Sequence, residues 1–380
     1  MGTRLRFVRG IVPRRASEPI RVEEPLLPSA PAIEGVGTSV AAFVGPTTTG
    51  PREAPVHITS MVEYERTFGG LDADDTGIAV RLFFENGGQS AWVIRTDAIE
   101  SGGLAALAAV DRFNLLSIPG TARLPKPIAA RTVGAAATLC EERRAFYVID
   151  APNSLTPAAI TAWKGQLRAT PNSALYFPAL RVDDPLHPGA LRDVPPSGAV
   201  AGVMARTDEQ RGVWKAPAGN DGHVRAVRGL TGTLSETDQG HLIAEGVNPL
   251  VTFPGQGIRV WGARTLASAE MSEWKYVPVR RLLLFIEESI DRGTRWAAFE
   301  PNGDFLWRAV RTSIESFLLS VYRSGALAGP TPEDAFFVRC DRMTMTQDDI
   351  DNGRLICVIG VAPVRPAEFV TVSHVTRLTP

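Results

Sequence analysis

Cysteine is scarce in this chain: Cys140, Cys340 and Cys357 are the only three among 380 residues. An odd, sparse set excludes a disulfide scaffold and suits free buried thiols in a reducing compartment. No two of them are spaced as a metal-type pair. Long apolar runs are missing as well. Nothing approaches the ~20 residues that a membrane-spanning helix needs, and RLLLFI and LICVIGVAPV have the length of core segments. Neither sign of charge is in excess: 40 Lys and Arg stand against 41 Asp and Glu, a net charge of −1. The chain-wide field therefore selects no nucleic acid. The opening MGTRLRFVRGIVPRR has no apolar stretch for a secretory signal and no Ser or Thr at position 6 for myristoylation. The expectation is synthesis and folding in the cytoplasm.

Turn-formers, by contrast, are plentiful, with 35 Gly and 29 Pro. The rest is globular in composition, 44% hydrophobic and 21% charged, and the length suffices for two or three domains. Residues 1–29 stand apart. Arg4, Arg6, Arg9, Arg14 and Arg15 precede the first acid, Glu18, and Pro13, Pro19, Pro25 and Pro28 bar a helix. This reads as an extended arm, either a loose tail or a segment that pairs with something else.

From residue 33 onward, strand and helix patterns alternate. The strand candidates are Val40–Val44, Trp92–Arg95, Leu115–Ile118, Phe146–Ile149 and Ala174–Phe177. Between them lie TGIAVRLFFENGG, GGLAALAAVDRF, ARTVGAAATLCEERR and TPAAITAWKGQLR, the last with Thr156 as cap and Pro157 in the first turn. Such alternation predicts an α/β fold with a mostly parallel sheet covered on both faces. After the helix in PPSGAVAGVMARTDEQRG the chain reads as loop-rich to about residue 245. The C-terminal part differs, with helices in VPVRRLLLFIEESIDRG and DFLWRAVRTSIESFLLSVYRSG. The second carries Leu306, Val310, Ile314, Phe317, Leu318 and Val321 on one stripe. Strand patterns AFFVRC, RLICVIGVA and AEFVTVSHV follow. The division expected is an arm over 1–29, an α/β domain over 30–245 and an α+β domain over 246–380 with a terminal strand.

Four stretches invite a chemical reading. AAFVGPTTTGPRE (41–53) has the glycine spacing of a phosphate loop, but Pro51 and Arg52 stand where Lys and Ser/Thr are needed. Pro46 and Pro51 also delete amide donors from the cradle, so a stiff turn after a strand fits better. TQDDIDNG (346–353) has the acids of a calcium loop without its glycine and glutamate spacing. It reads as a helical turn capped by Thr346. His57, His187, His223, His241 and His374 form no ligand pattern and read as surface or loop residues. Asp150 at a strand end and Ser197 before a small-residue helix resemble the Asp and Ser of a subtilase-like hydrolase. The intervening histidine is missing from a glycine-rich helix start, and His187 is close in sequence to Ser197. That hydrolase is the alternative to a structural role.

Longer blocks then carry more weight than any of these. IEGVGTSVAAFVGPTTTGP, RRAFYVID, PPSGAVAGVMARTDEQRGVWKAPAG, NPLVTFPGQGIRVWGARTL, WKYVPVRRLLLFIEESI, FEPNGDFLWRAVR, FLLSVYRSGALAGPTPEDAFFVRCD and MTQDDIDNGRLICVIGVAPVRPAEFV resemble the phage tail sheath family over nearly the whole chain from about residue 20. The resemblance implies a subtilisin-like domain that is not a protease, with no catalytic, metal or cofactor site. It implies a structural subunit that stacks as hexameric rings around an inner tube and contracts to drive the tube through a target envelope. The implied partners are further copies of itself, the inner tube protein, and baseplate and tail-terminator proteins, with neither nucleic acid nor direct membrane insertion. Assembly is expected in a bacterial cytoplasm, within a phage-tail-like particle that can be released. The length resembles the sheaths of compact phage tails, R-type pyocins and extracellular contractile injection systems. In the family, terminal strands are exchanged between subunits. The matching positions are Ile20, Arg21, Val22, Glu23 and Glu24 at one end, and Glu368, Phe369, Val370, Thr371, Val372, Ser373 and His374 at the other. Members often open with a PGVYVEE-like strand, of which Val22, Glu23 and Glu24 are kept here behind an arginine-rich leader.

Overall fold

The computed structural model describes residues 6–7, 30–71, 74–153 and 155–366. Its centre is a nine-stranded sheet. In spatial order the strands are His223–Val224, Gly257–Val260, Val247–Phe253, Ser173–Phe177, Phe146–Asp150, Leu115–Ser117, Ala41–Gly45, Ala91–Arg95 and Val56–Ile58. From Val247–Phe253 to Ala91–Arg95 every pairing is parallel. The antiparallel strands lie at the two edges. The five strands expected between residues 40 and 177 are all present in this sheet, each end within a residue of expectation; AFFVRC and RLICVIGVA supply strands of a second sheet, and AEFVTVSHV lies outside the described residues. The five were legible because strands buried on both faces are apolar without alternation. Ala41–Gly45, Phe146–Asp150 and Ser173–Phe177 are buried at every position.

Successive side chains leave a strand on opposite faces, so each strand feeds two cores. Phe43, Phe146, Val148 and Tyr176 join the helices Asp75–Glu85 and Ser197–Arg211 on one face. Ala42, Val44, Tyr147, Ile149 and Leu175 join Lys126–Glu142, Pro157–Lys164 and Glu236–Ala244 on the other. Thr156 caps its helix by accepting from the Ala159 amide, with proline in the first turn, as the sequence indicates.

Several elements depart from expectation. The region read as loop up to residue 245 contains the hairpin Leu180–Asp183 with Leu191–Val194, the helix Glu236–Ala244 and short strands at His223–Val224 and Gly229–Leu230. The Ser235–Asp238 capping box starts that helix. The stretch around GGLAALAAVDRF is not one helix but three short turns, Ile99–Gly103, Leu104–Ala106 and Leu107–Ala109. Adjacent glycines of low helix propensity open it. The sheet also runs past residue 245, through Val247–Phe253 and Gly257–Val260.

Beyond the sheet the chain is α+β. The helices Val277–Gly293 and Asp304–Arg323 pack on a three-stranded sheet ordered Arg6–Phe7, Val358–Val361, Phe336–Arg339. All six residues of the predicted stripe, Leu306 to Val321, are buried. The middle strand pairs antiparallel with Phe336–Arg339 and parallel with Arg6–Phe7. A strand from the N-terminal arm thus completes a sheet built from the other end of the chain.

Candidate functional site

In an open parallel sheet, ligand sites form at the carboxyl ends of the strands where the strand order reverses. Here the reversal lies at Ala41–Gly45, flanked by Ala91–Arg95 on one side and Leu115–Ser117 on the other. The titratable groups that the sequence singled out do converge near this point. Asp150 ends its strand, and Ser197 opens a helix that starts behind two prolines. The Ser197 amide donates to Asp150 Oδ1 at 2.8 Å and its hydroxyl to Oδ2 at 2.5 Å. Ser117 Oγ lies 2.7 Å from Ser197 Oγ. Small residues make this approach possible. A Cβ on Gly198 would lie 2.2 Å from the Ala79 carbonyl oxygen, and one on Gly202 would lie 2.4 Å from that of Phe83. Only glycine lets the Ser197–Arg211 helix lie this close to Asp75–Glu85.

The geometry is that of a helix cap. First-turn amides of a helix lack intrahelical partners, and Pro196 offers no side chain to satisfy them. The Asp150 carboxyl does so from the neighbouring strand. Ser117, Asp150 and Ser197 are at most 1% exposed, so the hydroxyl has no path to a substrate. The two side chains bond each other directly, with no histidine between them among the described residues. His187 sits on the exposed hairpin loop, its Nδ1 2.9 Å from Asp184 Oδ2. Sequence reasoning missed a further buried carboxylate. Asp75 is 3% exposed and accepts from Arg123 Nε and Nη2 at 2.6 and 2.7 Å and from Arg192 Nη2 at 2.9 Å. Arg192 belongs to the hairpin strand Leu191–Val194.

Burial pushes the Asp150 carboxyl up to about 8, against the pull of the Ser197 hydroxyl and amide. The folded chain therefore keeps a proton that the unfolded chain releases near 3.8. The contribution to stability is full below that value and is lost as the pH rises through about 8. Asp150→Asn keeps the shape and an acceptor for the Ser197 amide but cannot ionise. We expect it to flatten the fall in stability between about pH 5 and about pH 9 and to surpass the wild type at the upper end. Urea midpoints at the two pH values check this, and parallel pH profiles for the two proteins would contradict the assignment.

The remaining candidates are occupied by the protein's own groups. In the GPTTTG turn, Thr47 Oγ1 donates to the Thr49 carbonyl and the Thr49 amide to that of Phe68, and Arg52 pairs with Asp97. Thr346 and Asp349 form a capping box, and both Asp348 and Asp349 pair with Arg354. His57 Nε2 lies 2.8 Å from Ser90 Oγ, with its ring against Trp92. His223 and His241 lie in a short strand and a helix, not in loops. His374 lies outside the described residues. So do all the positions named for strand exchange, Ile20–24 and Glu368 onward. The described part of the arm that pairs, Arg6–Phe7, lies closer to the N-terminus than those positions.

A second buried polar cluster was invisible in the sequence. Arg281, in Val277–Gly293, makes a two-pronged bond to Asp208, in Ser197–Arg211, at 2.9 and 2.6 Å. Thr38 donates to the same carboxylate at 2.6 Å and its carbonyl accepts from Arg281 at 3.0 Å. Further bonds run between the same parts of the molecule. Arg280 donates to Asn172, Arg144 to Glu288, and Arg292 to Asp111. The large sheet and the C-terminal helices are thereby bound into one body.

The comparisons agree on the family. The phage tail sheath protein central domain matches residues 97–266, and the phage tail sheath C-terminal domain matches residues 270–377. The tail sheath protein of Vibrio phage KVP40 is 30% identical over 189 residues, 50% of this chain and 27% of that protein. That of Enterobacteria phage T4 is 28% identical over 189 residues, 50% of this chain and 28% of that protein. Against these phage proteins the chain thus spans well under two thirds of their length. Solved structures of similar length match throughout. The PVC sheath complex of an extracellular contractile injection system, in the contracted state, gives a TM-score of 0.80 at 32% identity, over 96% of this chain and 99% of that one. The helical sheath of the anti-feeding prophage, also contracted, gives 0.79 at 31% identity, over 94% and 98%. Identity of 32% to a sheath chain that it covers almost completely, with both sheath domains matched in order, places this protein in the phage tail sheath family.

Proposed function

We propose that this chain is a structural subunit of a contractile sheath, stacked in hexameric rings around an inner tube and anchored on a baseplate. The observation that carries the reading is the full-length match to a sheath chain in its contracted state. In this reading the work comes from a difference in packing free energy between two lattices of the same subunit. Each subunit moves as one body, which the Asp208–Arg281 cluster supports. Neighbours stay joined through extended arms, whose main-chain bonds survive while linkers bend. The pairing of Arg6–Phe7 with Val358–Ile359 supports an arm that completes this sheet, in its own or a neighbouring subunit. Residues 20–24 and 368–374 are the proposed exchange segments.

The mostly parallel sheet with Asp150 and Ser197 at its carboxyl ends supports a subtilisin-like scaffold whose former catalytic position is a sealed cap, with no enzymatic activity. We place the arm at 1–29, an α/β unit at 30–245 and an α+β unit at 246–380; the matched central and C-terminal sheath domains meet between residues 266 and 270. Assembly takes place in a bacterial cytoplasm, before any release of the particle.

Negative-stain microscopy of the purified chain, with and without residues 1–29, tests the proposal. The full chain should form tubes. The shortened chain should stay folded and soluble but form none. Tubes built without the arm would overturn its role as the link between subunits. A full chain that never assembles, even with tube protein present, would overturn the sheath reading itself.

A further inference from the structure

The C-terminal sheet places two of the cysteines face to face. In the antiparallel pairing of Phe336–Arg339 with Val358–Val361, Arg339 lies opposite Val358. One step along the same register, Cys340 lies opposite Cys357. The Ala362 amide donates to the Ala335 carbonyl, which makes Ala335 and Ala362 a hydrogen-bonded pair. Alternation along the ladder then makes Cys340 and Cys357 a non-hydrogen-bonded pair, the kind whose Cα atoms are about 4.5 Å apart and whose side chains are closest. That separation falls in the disulfide range of about 4.4–6.8 Å. Both residues are buried free thiols on the face that carries Val338 and Ile359. The Cys340 side chain is the leading influence that raises the Cys357 thiol.

We propose that Cys340 and Cys357 are a redox-sensitive covalent site that closes into a cross-strand disulfide when the protein meets an oxidised low-molecular-weight thiol. The chemistry is thiol–disulfide exchange. One cysteine thiolate attacks a sulfur of the small disulfide, expels one thiolate and forms a mixed disulfide. The second cysteine thiolate attacks the protein sulfur of that bond and expels the other. Two protein thiols are oxidised, one small disulfide is reduced to two thiols, and the two protons go to the departing thiolates. Folded as they are, both thiols are shielded. The Cys340 side chain and burial hold the Cys357 thiol well above the ordinary thiol range, and an un-ionised thiol is a poor nucleophile. Reaction therefore proceeds through opening of the ladder end, which lies immediately beyond the last paired residues, Arg339 and Val358. Cys140 has no such route, being buried in the Lys126–Glu142 helix against the large sheet. The bond would fasten the hairpin whose outer edge receives Arg6–Phe7, and it depends on this register alone, not on the sheath reading.

The test is full-length native protein incubated with excess oxidised glutathione, then alkylated, and read by intact mass and peptide mapping. Two of three thiols should be lost, as a single intramolecular bond between Cys340 and Cys357, with Cys140 alkylated. Cys140→Ser should leave that bond forming, and Cys340→Ser should abolish it. Thermal scans of the oxidised and reduced forms should show the oxidised C-terminal unit unfolding at the higher temperature. Bonds to Cys140, glutathione left on the protein, or three intact thiols after incubation just below the unfolding temperature would each overturn the proposal.

Discussion

Ile314→Asp should unfold the C-terminal unit. Ile314 is 0% exposed, midway along Asp304–Arg323, in one apolar cluster with Leu282, Ile286, Val310 and Leu318. An aspartate there loses the apolar contacts and brings a carboxyl into a site without a hydrogen-bond partner. The cost is on the order of 4 kcal/mol or more, a large part of the about 5–15 kcal/mol that holds a domain folded. Ile314→Val, which removes one methylene, should cost only about 1 kcal/mol. Chemical denaturation of the two variants measures the contrast. An aspartate variant as stable and soluble as the valine variant would mean that the stripe does not face a packed core.

Asp208→Ala should cost about 3–5 kcal/mol, because it leaves the Arg281 guanidinium buried without its counter-charge. The two side chains are 5% and 3% exposed, so water cannot replace the lost carboxylate. Thr38 would lose its acceptor as well. The pair itself need not be strongly stabilising, since desolvation offsets most of its attraction. A double variant, Asp208→Leu with Arg281→Met, should therefore recover much of the loss, and a double-mutant cycle reads the coupling directly. Strict additivity of the single changes would show that the two groups act independently. On the proposed sheath reading the single variant should also loosen the coupling between the large sheet and the C-terminal helices.

Some of this was legible along the chain and some was not. Strands buried on both faces announced themselves as short apolar runs, and the Asp304–Arg323 helix as a stripe. Thr156 with Pro157 and Thr346 marked helix starts. The hairpin Leu180–Asp183 with Leu191–Val194 escaped because its strands are short and partly exposed. The Ser197–Arg211 helix is buried nearly all round in its first turns, so it shows composition, not periodicity. In the sequence Asp150 and Ser197 read as a possible acid and nucleophile. In the structure they are in direct contact and sealed from solvent, which makes them a helix cap.

The sequence by itself determined what depends on neighbours within a few residues. That covers the placing of most strands and helices, the capping of several helices, and, through its long blocks of resemblance, the family. Tertiary structure alone decided which distant groups meet. It put Asp150 under Ser197 as a helix cap, Asp75 between two arginines, Asp208 against Arg281 and Thr38, Cys340 opposite Cys357, and an N-terminal strand beside Val358 and Ile359. The physical reason is range. Helical and strand propensities act over a turn or a pleat, whereas these contacts join residues brought together only when the sheet order and the helix packing are fixed.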